Sequence, residues 1–304
     1  MRSSSGHRLN SDGGLSHFGK APWMVLNVLN NVWFPNAKDK SLALRDFAPD
    51  LSDEHRRQSH SGKASPSRTL ANLFLMQLPW ERMQDELGRI NIVEVGCGSG
   101  NNGPRLQSWS GGRVATYFGV DVRSHENWKN VESHHAECRF FCADADDIGN
   151  HLSGDTNLIV SQSAIEHLRN DVDFFSAVRA FVGRIRKPVL QLHLFPSAAG
   201  LRLYQWHGVR QYTPRTVSLL TRMFNDCSYS RLYRLGGAAC NALHTELITT
   251  PLFARGRARS ERRLPRAYGE RVRAAISADS ASVQGAPSFF ALVIHSHARE
   301  RIFG

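Results

Sequence analysis

Residues 90–100, Ile90-Asn91-Ile92-Val93-Glu94-Val95-Gly96-Cys97-Gly98-Ser99-Gly100, set a short apolar run directly before three glycines at alternate positions. An apolar run of this length bounded by turn formers reads as a buried strand. Glycines immediately after it permit a tight turn and let the backbone approach a ligand. The residues that follow open a helix near 101–104, whose free N–H groups and partial positive charge suit the polar groups of a ligand. Strand, glycine loop and helix together commit this region to an α/β layer with a binding site at the strand's end.

Two registers of the glycines compete. Gly98-Ser99-Gly100-Asn101-Asn102-Gly103 satisfies the G-x-G-x-x-G of dinucleotide-binding enzymes. That register makes Glu94 and Gly96 the buried strand positions before the first glycine, which is physically poor. The other keeps Ile92, Val93 and Val95 in the strand and leaves Glu94 where the strand ends.

The pattern around this loop is alternating. Apolar runs at 115–120, 139–142, 158–160 and 189–194 read as further strands. Between the last two, Phe174, Phe175, Val178, Phe181, Val182 and Ile185 fall on one face of a helix opened by Asp171 and Asp173, read as its caps. Strands alternating with helices imply a mostly parallel sheet covered on both faces. Residues 229–235 and 289–295 read as two late strands, with 247–253 an ambiguous apolar run between them. Upstream, a helical pattern over 67–87 is broken by Pro79.

In the second register, Glu94-x-Gly96-x-Gly98-x-Gly100 resembles the first motif of class I S-adenosylmethionine-dependent methyltransferases. Three further segments fall in the order that family requires. Tyr117-Phe118-Gly119-Val120-Asp121 ends a second strand in an acid, Phe140-Phe141-Cys142-Ala143-Asp144-Ala145 does the same for a third, and Leu158-Ile159-Val160-Ser161-Gln162-Ser163 forms the fourth. The resemblance covers roughly residues 66–296. It implies a Rossmann-like α/β fold with a seven-stranded, mostly parallel sheet of order 3-2-1-4-5-7-6, the last strand antiparallel. It also implies S-adenosylmethionine as cofactor, held by Glu94, Gly96, Cys97, Gly98, Gly100, Asp121, Val122, Asp144, Ala145, Ser161 and Gln162. Asp121 would take the ribose hydroxyls and Asp144 the adenine amino group, with residues 161–163 facing the reactive methyl. Cys97 reads as a small group packing under the cofactor.

A sulfonium is already an activated methyl donor, so such a protein chiefly aligns the acceptor and excludes water. A hydroxyl acceptor also needs a base titrating near neutrality. His167, in Glu166-His167 after the fourth strand, and His207, before a Tyr212-Thr213 segment, are the candidate catalytic residues; His193 reads as packed within the fifth strand. Small-RNA 2′-O-methyltransferases hold a divalent ion with Glu-x-x-Glu-His and a distant histidine. Glu166, His167 and His207 resemble that set, but Ser163 stands in place of the first glutamate, and no metal site is expected.

Composition bounds the partners. The formal charge is +11, and from Arg255 to Arg273 eight arginines face only Glu261 and Glu270. Such a stretch is either a solvated surface or a contact for an anionic partner. Segments 161–167 and 193–196 resemble those of small-molecule and surface-polysaccharide methyltransferases, which implies transfer to a hydroxyl or amine of a small-molecule or glycan-type acceptor, with an anionic one allowed. RNA methylation through the arginine segment and a non-catalytic binding protein of the same fold are the alternatives. Five cysteines without a C-x-x-C pair argue against a disulfide framework or structural zinc and fit the cytoplasm. No run is long enough to span a bilayer. Residues 1–20, rich in Ser, Gly and His, are expected to be disordered, and 21–65 to form a helical lid or appendage. Within 21–34 the apolar positions 25, 28, 29, 32 and 33 share a helix face, expected to pack on the domain or lie on a membrane surface. Residues 66–304 form the cofactor domain, with an Arg-rich insertion at about 241–288 that is expected to form the acceptor pocket together with the N-terminal segment.

Overall fold

All residues of Ile90–Val95 except Asn91 are buried, and this strand pairs on both sides rather than at an edge. The computed structural model describes residues 3–13, 15–32, 39–52, 64–255, 267–282 and 284–303. Its strands are β1 (Leu42–Asp46), β2 (Ile90–Val95), β3 (Val114–Asp121), β4 (Cys138–Cys142), β5 (Leu158–Gln162), β6 (Val189–Pro196), β7 (Ser228–Leu235) and β8 (Phe289–Ser296). They form one sheet in the order β1-β7-β8-β6-β5-β2-β3-β4. The seven-strand expectation is corrected: β1 adds an eighth at the edge, parallel to β7, so the full order differs. From β2 to β8 the neighbours run as expected, with β8 antiparallel to both β6 and β7. Strand β1 lay hidden in a polar stretch because only Leu42 of its five residues is buried.

The longer helices are α1 (His17–Val32), α2 (Pro66–Met76), α3 (Trp80–Leu87), α4 (Asn102–Trp109), α5 (Asn127–His134), α6 (Asp171–Ile185), α7 (Pro214–Thr221), α8 (Ala238–His244) and α9 (Tyr268–Ala281). Ser65 caps α2 by accepting from Arg68 N at 3.2 Å, with Pro66 in the first turn, where a missing N–H costs nothing. Pro79 then separates α2 from α3 as its ring requires. Two apolar cores lie on the two faces of the sheet. One joins Leu70, Leu73, Trp80 and Met83 to Ile92, Val160 and Leu192; the other joins Phe174, Phe175, Val178 and Phe181 to Val93, Ile159 and Phe195. The apolar run at 247–253 is helical, in a wide π-helical turn at Thr245–Thr249 followed by Thr250–Arg255. Residues 256–266 of the arginine stretch lie outside the described residues. Among the described residues, no helix is long and apolar enough to cross a membrane.

The N-terminal segment departs from expectation twice. Residues 3–13 are not a free tail. Ser4 N donates to Asp171 Oδ1 at 2.9 Å, and the buried Arg210 guanidinium donates to Ser3 Oγ and Ser5 Oγ at 3.0 Å each. Asp171, read as a helix cap, is instead buried within 3.4 Å of Arg210 and accepts from Tyr212 Oη at 3.1 Å. A buried carboxylate keeps its charge only with such partners, and the segment supplies some of them.

Helix α1 is also turned around. Its asparagines face inward: Asn27 is 0% exposed and donates to Val209 O at 3.2 Å, while Asn30 accepts from Arg215 at 2.6 Å. Val25 and Val32 are 56% and 63% exposed. The surface α1 covers is a loop whose backbone carbonyls need donors, so amide side chains pair there better than aliphatic ones. Trp33 lies outside the described residues.

Candidate active site

The loops after β2, β3, β4 and β5 lie at the carboxyl edge of the sheet, where ligands of open α/β sheets bind. Gly96 has φ +74°, and a Cβ there would stand 2.3 Å from Ala164 Cβ. Only glycine lets the loop after β2 lie against the chain leaving β5. Gly98, with φ +52°, has nothing within 4 Å of the position a Cβ would take, so the loop presents open space on that side. Its N–H donates to Asp121 Oδ2 at 2.9 Å and its carbonyl accepts from Trp128 Nε1 at 2.8 Å. Asn127 Nδ2 adds a bond to Ser99 O at 2.9 Å, fixing the loop from α5.

The residues implied to hold the cofactor divide into those that line this space and those beneath it. Asp121 ends β3, half-buried. Its oxygens accept from the N–H groups of Gly98 and Arg123, and a carboxylate has further lone pairs for two hydroxyls. Val122 next to it is 62% exposed, an apolar side chain available to cover a flat ring. Asp144 is exposed and caps the short turn Ala145–Asp147 by accepting from Asp146 N at 3.0 Å, while Ala145 is buried.

Glu94 does not line the space. It is fully buried, accepts from Tyr117 Oη and from Asn102 Nδ2 at 2.7 Å, and burial raises its pKa. It ties β3 to the start of α4 and so shapes the loop from below. Gln162 accepts from the same Asn102 amide at 3.1 Å, and Ser161 pairs with His193 Nδ1 at 2.8 Å on the other face of the sheet. His193 is packed edge-on to Phe174 and Phe175, and burial lowers its pKa to about 3. Cys97 is buried and its thiol is pushed far up by burial, so it packs rather than reacts. Cys97, Cys138 and Cys240 are buried thiols, and no described cysteine is in a disulfide.

Beside the loop, the chain leaving β5 makes the turn Ile165–His167. Residues 207–210 lie on that turn: Val209 N donates to Glu166 O at 2.8 Å, and Gly208, φ +69°, passes so close that a Cβ would sit 2.9 Å from the same carbonyl. This contact brings His167 and His207 together, edge-on with ring centroids 4.7 Å apart. Asp12 joins them from the N-terminal segment. Its Oδ2 lies 2.8 Å from His167 Nδ1 and 3.9 Å from His207 Nδ1, and it accepts from Gly208 N at 2.8 Å. Ser163 is not part of the group.

Electrostatics couple these residues. Burial lowers the His167 pKa, but its hydrogen bond to Asp12 and the charges of Glu166 and Asp12 outweigh it, leaving it above the ordinary value. Burial raises Asp12, yet its bonds to His167 and to Gly208 N–H bring it below the usual carboxylate range. Glu166 is pushed up to about 6 by burial. Sequence reasoning placed both histidines here and missed Asp12, since nothing local marks an aspartate in a Ser/Gly-rich segment as a partner of residue 167. A separate cleft lined by Asn91, Thr116, Asp155 and Lys187 opens at the opposite, amino edge of the sheet, away from Asp121, His167 and His207.

No protein-family model matches the chain, and no curated protein sequence does. Solved structures do. The plantazolicin methyltransferase BamL, in complex with a triazolic desmethylPZN analog and SAH, superposes with a TM-score of 0.50 at 11% identity, over 91% of this chain and 97% of its own. The fold is that of a methyltransferase. An S-adenosylmethionine-dependent methyltransferase from Archaeoglobus fulgidus follows at TM-score 0.44 and 14% identity, over 77% of this chain and 95% of its own. The 1,6-didemethyltoxoflavin-N1-methyltransferase of Burkholderia thailandensis gives 0.40 at 12% identity, over 73% and 78%. At this level of identity the likeness to BamL is one of fold.

Proposed function

We propose that the protein is an S-adenosylmethionine-dependent methyltransferase acting on a hydroxyl of a small-molecule or glycan-type acceptor. One observation carries the reading: the open loop closed by Asp121 touches, through Gly96 and Ala164, the very turn that holds His167. A nucleoside site and a pair of imidazoles therefore share one edge of the sheet.

The residues fit that cofactor. The space beside Gly98, the spare lone pairs of Asp121 and the exposed side chain of Val122 suit a ribose and a flat base. Glu94, Ser161 and Gln162 act from beneath as supports. Bound there, S-adenosylmethionine supplies a methyl group on a sulfonium, ready for in-line displacement. The protein's part is to orient the acceptor, exclude water and take its proton. His167 and His207, edge-on to each other with Asp12 2.8 Å from His167 Nδ1, form the group to which that proton passes. The net charge of +11 favours an anionic acceptor.

Calorimetry with S-adenosylhomocysteine tests the reading. Binding of micromolar order is expected, at least tenfold weaker in Asp121→Ala. Wild-type protein that shows no heat at about millimolar ligand would overturn it.

A further inference from the structure

We propose that Asp12, His167 and His207 bind one divalent transition-metal ion, with Glu166 behind the two imidazoles as the carboxylate that orients them. The binding site stands on its own geometry; only its use in holding an acceptor oxygen rests on the methyl-transfer reading.

One ligand atom each from Asp12, His167 and His207 lies within 4.8 Å of the other two. Bonds of about 2.0–2.2 Å at angles of roughly 90–110° place two ligands of one ion about 2.8–3.6 Å apart. The 2.8 Å contact between Asp12 and His167 already fits, and the wider separations have to close by up to about 1 Å. Both Nδ1 atoms face Asp12, at 2.8 and 3.9 Å. Both Nε2 atoms face Glu166 Oε1, at 4.0 and 3.9 Å. The two rings thus stand between two carboxylates, one at the surface and one buried.

Glu166 is the independent observation. Its side chain is 0% exposed and neither carboxylate oxygen has a hydrogen-bond partner. A buried carboxylate in that state is costly. A simple Asp12–His167 ion pair does nothing for Glu166. An ion on the Nδ1 side fixes both rings with their Nε2–H groups toward Glu166, which then accepts from both. Carboxylate, histidine and metal in that order is the usual way a ligating histidine is held.

The donor set selects the ion. Two imidazole nitrogens and one carboxylate favour zinc, cobalt, manganese or ferrous iron over magnesium and calcium, which take oxygen ligands. Three protein ligands leave coordination positions for water or an acceptor oxygen. The side chains of Asp12, His167 and His207 are 40%, 34% and 32% exposed, so an ion can reach them from solvent.

The test uses the full chain, stripped with chelator and titrated with Zn2+ by calorimetry and with Co2+ by visible absorption. One site per chain of micromolar affinity or better is expected. His167→Ala and His207→Ala should each weaken it about 100-fold, and Asp12→Asn and Glu166→Gln about 10- to 100-fold. S-adenosylhomocysteine binding in the same samples reports that each variant is folded. Two results overturn the site: no binding of Zn2+, Co2+ or Mn2+ tighter than about 100 μM, or unchanged affinity in the His167→Ala/His207→Ala double variant. Metal binding without nucleoside binding sinks the methyl-transfer reading alone; the reverse sinks the metal site alone.

Discussion

Asp12 Oδ2 lies 2.8 Å from His167 Nδ1, joining the start of the chain to the turn that follows β5. That hydrogen bond holds the His167 pKa above its ordinary 6.5 against burial, which acts to lower it. In chelator-treated protein, the His167 ring resonance should titrate above 6.5, and Asp12→Asn should move its midpoint down. The sign carries to stability. A raised histidine pKa contributes stability that is complete below about 6.5 and lost as pH rises through the folded value. Asp12→Asn should therefore cost more at pH 5.5 than at pH 8.5, measured by urea unfolding; equal costs would argue against the coupling.

Glu166 titrates in the opposite sense to an ordinary paired carboxylate. Its pKa is raised from 4.5 to about 6, so the wild type loses stability as pH rises through that interval. Glu166→Gln, which keeps the shape and removes the charge, should gain on the wild type by about 2 kcal/mol between pH 4 and pH 8 without metal. Added Zn2+ should reverse the ranking, because only the carboxylate can hold the imidazoles for the ion.

The glycine loop separates fold from ligand. Gly96→Ala pushes a Cβ into Ala164 at a positive φ and should lower stability by about 2–3 kcal/mol. Gly98→Ala meets no protein atom, so it should cost only about 1–2 kcal/mol of backbone strain while weakening S-adenosylhomocysteine binding at least tenfold. Thermal melts and calorimetry on the two variants distinguish these effects.

On α1, the usual expectation about polar and apolar faces is reversed. Asn27→Ala should cost about 1–2 kcal/mol by leaving Val209 O without its donor, whereas Val32→Ser on the same helix should stay within about 0.5 kcal/mol. Equal costs in chemical denaturation would contradict the inward orientation of the asparagines.

The contrast shows which features of the chain are legible in its residues. β2, β5, β6 and β8 are buried along almost their whole length, and continuous apolar runs announce such strands directly. The glycines and Asp121 were readable because a short stretch of backbone forces their conformation and places the acid at a strand's end. The face of α1 was not, because burial there is decided by carbonyls of residues 208 and 209, far along the chain. Asp144 shows a third case: one aspartate suits both a ligand contact and a turn cap, and in the structure it caps a turn. Asp12 had no sign at all, since its meaning comes only from the partners that tertiary structure brings to it.

The seam between Asp12, His167 and His207 also sets an order of assembly. During synthesis the aspartate leaves the ribosome first and its partners well over a hundred residues later. At about 5–20 residues per second, the nascent chain spends roughly 10–40 s with Asp12 made and His207 still absent. Throughout that time the surface on which the N-terminal segment docks is incomplete, because Gly208 and Arg210 do not yet exist. It must stay soluble by its own serines and glycines, and it locks down only when most of the sheet is in place.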